Sequence, residues 1–271
     1  MTTTDHSAGL ALRHTRTRIA EQLRNAEASG LPIVAVSSAH PELTLEDAYA
    51  IQAINIERRL RFGERIVGRK IGLTSEAMQR QLGVDQPDVG AITDRMVLAD
   101  GDAIPLDRMI AGRIEAEFAF RIGRTLPAGE PRLDELVEAI SGVALSAEII
   151  DSRIKDWKIG LIDTVADNAS SAFIAHGEWL PASAELLESL PGTVIRLEID
   201  GVQAAEGPGS AVLGDPLRAL LWLARTLGQS GVGLVEGDVV LAGAVHASID
   251  LTAGSVYTIA AEGFGPVRLT T

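Results

Sequence analysis

A nine-residue segment with strict alternation constrains the fold of this chain more than any other feature. In Arg113-Ile-Glu-Ala-Glu-Phe-Ala-Phe-Arg121, apolar and polar residues alternate with a period of two, which predicts a β-strand with one buried face. Glu115 and Glu117 both point from the opposite face, about 7 Å apart at their Cα atoms. The apolar run at residues 143–150 predicts a second strand, which carries Glu148. The fold is therefore expected to place three glutamates on strands.

These three residues, Glu115, Glu117 and Glu148, are called the glutamate trio and point to a metal site. A carboxylate in an apolar strand is costly to desolvate unless a cation neutralises it. An all-oxygen acidic set suits a hard divalent ion, Mg²⁺ or Mn²⁺, that keeps water or substrate oxygens in its other positions. The alternative is a solvated strand face, because Arg113 and Arg121 share the face of the first two glutamates and favour ordinary cross-strand ion pairs.

Composition narrows the class of partner. The chain has 271 residues, 46% of them hydrophobic, which is ample for a sizeable core in one or two domains. The net charge of −13 opposes nucleic acid and anionic membranes as partners, because phosphate binding needs clustered Lys and Arg. A small anionic substrate stays compatible, since a bound cation inverts the local potential. Cysteine is absent, which excludes disulfides, thiolate nucleophiles and cysteine-based metal sites.

Several common signals are missing from the chain. The N-terminus has no basic segment followed by an apolar stretch, and no apolar run approaches the length that spans a membrane. We therefore expect a cytoplasmic protein. The chain also lacks a phosphate-binding loop, a dinucleotide fingerprint, a nucleophile elbow and a His-Glu-x-x-His motif. Nucleotide-dependent chemistry and serine hydrolysis accordingly lose most of their support.

Helical signals dominate the first part of the chain. Residues 9–29 are predicted to form a helix that ends at the Gly30 break. Thr44 is the predicted N-cap of a second helix, with Asp47 at the capping-box position and Gly63 closing the segment. These elements predict a small helical N-terminal region.

From Ile66 onward, the sequence consists of short apolar runs broken by Gly, Pro and Asp, a pattern that is typical of strands and turns. One later helix is predicted, with Asp215 as N-cap and Pro216 at its first position. A final β-meander is predicted from three short runs, at residues 239–241, 255–260 and 267–269. We therefore divide the chain into a helical region at residues 1–65 and a β-rich catalytic domain at residues 66–271.

Other residues are weaker candidates for chemistry. Lys70 lies between glycines, and a lysine near a cation or in a poor solvent has a lowered pKa that suits proton transfer, although a surface lysine is the alternative. Asp85 and Asp88 lie in a turn-rich stretch, where Asp is common for conformational reasons. Ser170 is a candidate to bind a substrate oxygen or to cap a turn. Arg153 is a candidate to meet an anionic substrate or to belong to a solvated loop.

Five segments follow one another in the order and at the spacing of a known enzyme family. They are Val67-Gly-Arg-Lys-Ile-Gly-Leu-Thr74, Gln81-Leu-Gly-Val-Asp-Gln-Pro-Asp88, Arg113-Ile-Glu-Ala-Glu117, Ala147-Glu-Ile-Ile-Asp-Ser-Arg-Ile-Lys-Asp-Trp157 and Asp163-Thr-Val-Ala-Asp-Asn-Ala-Ser170. From about residue 48 to the C-terminus, the chain resembles the 2-hydroxypenta-2,4-dienoate hydratases, also called 2-keto-4-pentenoate hydratases. That group belongs to the fumarylacetoacetate hydrolase superfamily and includes the related 4-oxalocrotonate decarboxylases.

The resemblance implies an α+β fold, with a mixed β-roll behind the small helical N-terminal region. It implies a bound Mg²⁺ or Mn²⁺ on the glutamate trio, where the strand pattern also favours a cation. Lys70 and Asp88 match acid–base positions of the family, and Ser170 matches a substrate-contacting one. A homo-oligomer is implied as well, and a complex with a downstream aldolase is a further expectation.

The implied activity is the addition of water to 2-hydroxypenta-2,4-dienoate, through its 2-oxo-3-enoate tautomer, to give 4-hydroxy-2-oxopentanoate in the meta-cleavage catabolism of aromatic compounds. One alternative is a 4-oxalocrotonate decarboxylase. The residue after Asp156 favours the hydratases, because it is Trp157 here and tends to be Phe in the decarboxylases. A second alternative is a non-catalytic partner subunit of such an enzyme.

One departure from the family pattern concerns the substrate carboxylate. Relatives commonly show Leu-Thr-Gly-Ala near the end of the chain, where the Thr hydroxyl is expected to meet that carboxylate. This chain has Ala242 at the Thr position and cannot make the same hydrogen bond. Carboxylate binding is then expected to fall to a backbone N–H, to Lys70 or to Ser170, or the substrate preference has shifted.

Overall fold

Three helices open the chain before the first strand. The computed structural model describes residues 3–75, 79, 84 and 86–271, so that Asp85 and part of the segment from Gln81 lie outside the described residues. The opening helices are α1 (Thr3–Ser29), α2 (Val36–Ala39) and α3 (Leu45–Arg61). At the start of α3, the Thr44 hydroxyl accepts the Asp47 N–H and the Asp47 carboxylate accepts the Thr44 N–H, which confirms the predicted capping box.

Among the described residues, four further α-helices lie between the strands: α4 (Leu133–Ala139), α5 (Leu161–Ala166), α6 (Ala184–Ser189) and α7 (Pro216–Gln229). The predicted start of α7 is confirmed, because the Asp215 side chain accepts the Leu217 N–H and Pro216 takes the first turn. Within the described residues, none of the helices combines the length and the apolar character needed to cross a membrane.

Thirteen strands are named along the described chain. They are β1 (Ile66–Gly72), β2 (Asp88–Thr93), β3 (Val97–Leu98), β4 (Arg113–Ile122), β5 (Ile140–Ile150), β6 (Ser171–His176), β7 (Leu180–Pro181), β8 (Val194–Ile199), β9 (Val202–Pro208), β10 (Val239–Ala244), β11 (Ile249–Asp250), β12 (Val256–Ala260) and β13 (Val267–Thr270).

The strands form one large mixed sheet and one small antiparallel sheet. The large sheet follows the order β2-β1-β10-β4-β5-β6-β3, with β11 beside β4 and β7 beside β5. Its β1–β10 and β3–β6 pairs are parallel, and its other pairs are antiparallel. The small sheet has the order β13-β12-β8-β9. This arrangement of helices and mixed strands confirms the predicted α+β fold.

The predicted final meander is wrong. β10 lies inside the large sheet, between β1 and β4, whereas β12 and β13 pair with each other in the small sheet. The chain between them crosses from one sheet to the other and adds β11 to the edge of β4 on the way. Period-two patterns identify each run as a strand, but they carry no information about which strand it pairs with.

The main core lies between the two sheets and the helix α7. The apolar face of β4 enters it as predicted, with Ile114, Ala116 and Phe118 fully buried. A second cluster joins the N-terminal helices to the rest of the chain, because Leu23 and Ile51 pack with Val165 of α5. Burying an aliphatic side chain of this size contributes about 1.5–3 kcal/mol. The N-terminal helices are therefore held against the segment that carries α5.

Candidate active site

The glutamate trio meets at one point on the large sheet. Glu115 of β4 and Glu148 of β5 are directly opposite each other in the antiparallel pair, and Glu117 follows two residues later on the same face. One carboxylate oxygen from each residue lies within 4.8 Å of those of the other two. The three residues are only 6%, 1% and 1% exposed. A solvated strand face is therefore excluded, and the predicted convergence of the three side chains is observed.

The chemistry of the trio fits a divalent cation. Gly243 N–H donates to Glu117 Oε2 at 2.8 Å, whereas Glu117 Oε1 accepts no hydrogen bond from any described residue. Neither oxygen of Glu148 accepts one within the described chain, although Lys70 Nζ lies 3.1 Å from Oε1 as an ion pair. Buried carboxylates left this short of donors are costly. The three glutamates together could hold a hard divalent ion through oxygen atoms alone.

Protons compete with any cation for this site. Burial, reinforced by the charge of Glu148, raises the pKa of Glu115 to about 8. Burial and the two neighbouring carboxylates raise the pKa of Glu117 well above its ordinary range. Without a cation, Glu115 and Glu117 therefore retain protons at neutral pH.

A bulge in β10 shapes the wall beside Glu117. The register slips between Leu241 and Ala244, and Gly243 adopts a φ of +112° that side chains rarely allow. A Cβ at Gly243 would collide with the Thr74 hydroxyl. Glycine at this position therefore permits both the close approach of Thr74 and the hydrogen bond to Glu117.

The structure changes the interpretation of Ala242. This residue is fully buried in the main core, and Ala244 is the residue of β10 that reaches the cavity wall. A side chain at position 242 that points into the main core, as Ala242 does, cannot contact a substrate carboxylate in the cavity. The hydroxyls of Thr74 and Ser170 line the cavity instead.

Lys70 is buried rather than solvated, at 4% exposure. It extends from β1 to Glu148 on β5, although β10 and β4 lie between these strands and three strand spacings would span about 14 Å in a flat sheet. The sheet curls to bring them together. Burial alone lowers the pKa of Lys70, but the four surrounding carboxylates raise it above its ordinary value. Without a cation the pKa of Lys70 is therefore raised, and the lowering expected for a lysine near a bound cation stays a prediction.

Asp88 lies next to Lys70 on the neighbouring strand. In the β1–β2 pair it is opposite Gly72, where a Cβ would collide with Asp88 Oδ1 and would lie 3.4 Å from Lys70 Nζ. The Thr164 hydroxyl donates to Asp88 Oδ2 at 3.3 Å, and Asp88 Oδ1 accepts no hydrogen bond in the described structure. Burial raises the pKa of Asp88, and Lys70 opposes this shift. Two titratable groups thus share one buried corner of the site.

Ser170 lies in a strained segment at the edge of the site. Asn168, Ala169 and Ser170 have φ values of 55°, 52° and 55°, a left-handed conformation that is unfavourable for residues other than glycine. The Asn168 side chain holds the segment, since Oδ1 accepts the Ala91 N–H at 2.8 Å and Nδ2 donates to the Ala91 carbonyl at 2.9 Å. The Ser170 hydroxyl lies 3.4 Å from that of Thr164. This conformation turns Ser170 toward the cavity.

A cavity of about 160 Å³ opens in front of these groups. The two glutamates of β4, Lys70 and Asp88 line its polar end, and Ile150, Trp157 and Ile159 line an apolar wall. The Trp157 indole N–H donates to the Ala111 carbonyl at 3.0 Å, and the Arg113 guanidinium lies 4.6 Å from the centre of its ring. The cavity therefore joins a charged end to an apolar end.

The prediction that Arg153 contacts substrate is not supported by its position. Its Nε lies 2.5 Å from Asp167 Oδ1, and its Nη2 donates to the Asp167 carbonyl at 2.6 Å. Arg153 is buried behind the strained segment and does not line the cavity. Its guanidinium is already committed to Asp167, so it braces the loop that carries Ser170.

Thr74 and Thr164 are among the cavity residues that the sequence did not single out. Both residues lie inside segments that resemble the hydratase family, which was the available signal. Threonine is common in strands and helix ends, so neither hydroxyl stood out from its residue type alone. Only the folded chain shows that Thr164 bonds to Asp88.

Comparison with known proteins gives a consistent result. Residues 68–271 match the family model described as fumarylacetoacetate (FAA) hydrolase C-terminal. The 2-keto-4-pentenoate hydratase of Paraburkholderia xenovorans (strain LB400) is 42% identical over 254 residues, which cover 93% of each chain. The 2-hydroxyhexa-2,4-dienoate hydratase of Comamonas testosteroni is 38% identical over 250 residues, which cover 92% of each chain.

The fold is shared with a solved structure. The 4-oxalocrotonate decarboxylase from Pseudomonas putida G7, complexed with magnesium and adipate, superposes with a TM-score of 0.89 at 33% sequence identity. The match covers 95% of this chain and 97% of that one. The chain therefore belongs to the fumarylacetoacetate hydrolase family, in the group that contains these hydratases and the decarboxylase.

Proposed function

We propose that this protein is a divalent-metal-dependent hydratase that adds water to 2-hydroxypenta-2,4-dienoate and yields 4-hydroxy-2-oxopentanoate, a step in the catabolism of aromatic compounds. The observation that carries the proposal is the buried glutamate trio, short of hydrogen-bond donors and in contact with Lys70. The 42% identity to a 2-keto-4-pentenoate hydratase over nearly the whole chain supports the choice of reaction.

The glutamate trio would hold Mg²⁺ or Mn²⁺, since its ligands are all oxygens. When bound, such an ion supplies positive charge that stabilises the negative charge developing on the C2 oxygen of an oxo acid. Gly243 N–H keeps the Glu117 carboxylate oriented toward the same point. We assign the orientation of the substrate carboxylate to the hydroxyls of Thr74 and Ser170, because both residues line the cavity.

Two proton transfers follow from the chemistry of the substrate. Ketonisation of the dienol moves the hydroxyl proton from O2 to C5, which makes C4 electrophilic. Hydration then adds the water oxygen to C4 and a proton to C3. We assign these transfers to Lys70 and Asp88, because both are buried at the polar end of the cavity and their pKa values are coupled through one another. A positioned acid or base of this kind contributes roughly 10²- to 10⁴-fold to a rate.

The charges around the cavity favour a substrate with one carboxylate. Lys70 and Arg113 are the cationic side chains among the described residues that line it. Lys70 is paired with Glu148, and Arg113 Nε donates to Asp250 Oδ1 at 2.8 Å. Neither cation is left free for a second carboxylate, and Ile150, Trp157 and Ile159 offer an apolar surface to the distal carbons.

The main rival is decarboxylation of 4-oxalocrotonate, because a solved 4-oxalocrotonate decarboxylase is a structural relative of high similarity. Both reactions pass through charge of the same kind on the C2 oxygen, so the glutamate trio does not separate them. The test is to present each substrate with Mn²⁺ and to measure hydrated product and CO₂ separately. We expect water addition to 2-hydroxypenta-2,4-dienoate and little CO₂. Predominant CO₂ release would favour the decarboxylase, and binding of Mn²⁺ without any turnover would favour a non-catalytic partner subunit.

Mn²⁺ affinity is expected to rise with pH, because binding must displace protons from the trio. Glu115 has a pKa of about 8, so below that pH the site holds protons that the ion releases. For each proton displaced, the apparent affinity should fall by up to about 10-fold for every pH unit below that pKa. Calorimetric titrations in two buffers of different ionisation enthalpy, at several pH values, measure both quantities. An affinity and a proton release that stay constant across this range would contradict the assignment.

A further inference from the structure

One side chain of the N-terminal helices touches the backbone on both sides of the proposed proton-transfer site. The Gln52 amide, on α3, donates to the Val89 carbonyl at 2.9 Å and to the Val165 carbonyl at 3.1 Å. Val89 directly follows Asp88 on β2, and Val165 directly follows Thr164 on α5. A single amide group therefore links the two elements that carry Asp88 and its hydrogen-bond partner.

The two elements that Gln52 links are also joined by a direct side-chain hydrogen bond between Thr164 and Asp88. The Thr164 hydroxyl donates to Asp88 Oδ2 at 3.3 Å, a long hydrogen bond that depends on the spacing of β2 and α5. Asp88 Oδ1 accepts no hydrogen bond from the described residues, so the Thr164 hydroxyl and the nearby charge of Lys70 hold the carboxyl group. Gln52 contributes to the separation of these two backbones, together with the Asn168 side chain on Ala91, and this separation determines whether the Thr164 hydroxyl reaches the Asp88 carboxyl group.

The elements on both sides of Gln52 are held by buried contacts and hydrogen bonds. Ile51, its neighbour on α3, is fully buried in the cluster that joins the N-terminal helices to α5. On α5, the Asp163 carboxylate accepts the Ser37 N–H at 2.9 Å and the Ser37 hydroxyl at 2.6 Å. Tyr49 lies one turn before Gln52 on α3, and burial, with a smaller contribution from Asp88, raises its pKa to about 12. A neutral phenol thus lies near Asp88 from the same helix.

We infer that Gln52 is a positioning residue, which holds Asp88 and Thr164 at hydrogen-bond distance from outside the catalytic domain. The inference rests on the proposed function, in which Asp88 transfers a proton. The part of the chain that matches the family model begins at residue 68, so Gln52 lies in the region that precedes it. The N-terminal helices accordingly take part in catalysis by setting the geometry of a residue they do not carry.

The first test compares Gln52→Met with Asn55→Leu. Asn55 is a matched control, since it is half-buried on the same helix and its Oδ1 accepts from Arg24 of α1 at 2.6 Å, away from the cavity. We expect Gln52→Met to lower kcat with 2-hydroxypenta-2,4-dienoate and Mn²⁺ by roughly 10- to 100-fold, because small misplacements of a catalytic group have effects of this size. KM, the Kd for Mn²⁺ and all constants of Asn55→Leu should stay within about twofold of wild type.

The second test asks whether Gln52 acts through Asp88. In an Asp88→Asn background, Gln52→Met should lower kcat by less than about twofold, since the group it positions is already gone. Gln52→Ala gives a second measurement of the same loss with a smaller side chain, and thermal melting shows that each variant is folded. An equal loss of kcat in both backgrounds, or a loss matched by Asn55→Leu, would overturn the positioning role while leaving the proposed function intact. Full turnover of Asp88→Asn alone would instead remove Asp88 from the mechanism, and the role of Gln52 with it.

Discussion

Glu117→Gln is expected to weaken Mn²⁺ binding by about 100-fold or more, because loss of a mere supporting contact around a bound metal already costs about 10- to 100-fold. The amide removes one of three converging carboxylate oxygens and leaves the backbone in place, with Gly243 N–H still able to donate to the amide oxygen. Turnover at limiting Mn²⁺ should fall with the binding. Isothermal titration and activity measured against Mn²⁺ concentration give the two numbers.

The same substitution should stabilise the metal-free protein at high pH. Burial and two neighbouring carboxylates raise the pKa of Glu117, so its contribution to stability is present at low pH and is lost as the pH rises through the raised value. The glutamine has no proton to lose, and a gain of about 1 kcal/mol would raise the Tm by about 2–4 °C. Glu138→Gln is the control, because Glu138 is exposed and pairs only with Arg124 among the described residues. Weak metal binding without the gain in Tm at high pH would contradict the repulsion that we assign to the trio.

The trio was predictable because strand geometry fixes the direction of each side chain. Alternation in β4 dictates that Glu115 and Glu117 share a face opposite the main core, whatever the strand pairs with. Glu148 was set apart by its apolar surroundings, which require a partner for its charge. Sequence alone could not give the register that places Glu148 opposite Glu115, nor the curl that brings Lys70 from β1 to β5.

The remaining parts of the site depend on long-range contacts that leave no local pattern. Ser170 reaches the cavity because three consecutive residues take left-handed conformations held by the Asn168 side chain. In the sequence, Gln52 has no feature that separates it from the other polar residues of α3. Its role depends on its contacts with β2 and α5, which only the folded chain brings together. Arg153 was predicted to contact substrate because the sequence does not show that its charge is paired. Its buried partner, Asp167, is fourteen residues away along the chain.

The predicted final meander is wrong because β10 pairs inside the large sheet, and this pairing also shapes the site. By entering the large sheet between β1 and β4, β10 carries its bulge to the side of Glu117 and places Ala242 in the main core. The pairing of this strand, rather than the residue at position 242, therefore sets the donor that orients the metal ligand.

Lys70→Met is expected to lower kcat by roughly 10²- to 10⁴-fold while Mn²⁺ binding is kept or strengthened. The two effects separate because Lys70 Nζ lies 3.1 Å from Glu148 Oε1, where its positive charge repels any cation that the trio holds. The chain has three lysines, and the other two, Lys155 and Lys158, are exposed, so Lys155→Met is a matched control. Full turnover of Lys70→Met with Mn²⁺ bound would remove Lys70 from the proton transfers. A residue that only supports the metal site lowers turnover through loss of Mn²⁺, so saturating Mn²⁺ would restore the rate. A loss of Mn²⁺ affinity in Lys70→Met, with turnover restored at saturating Mn²⁺, would therefore make Lys70 a structural partner of the glutamates.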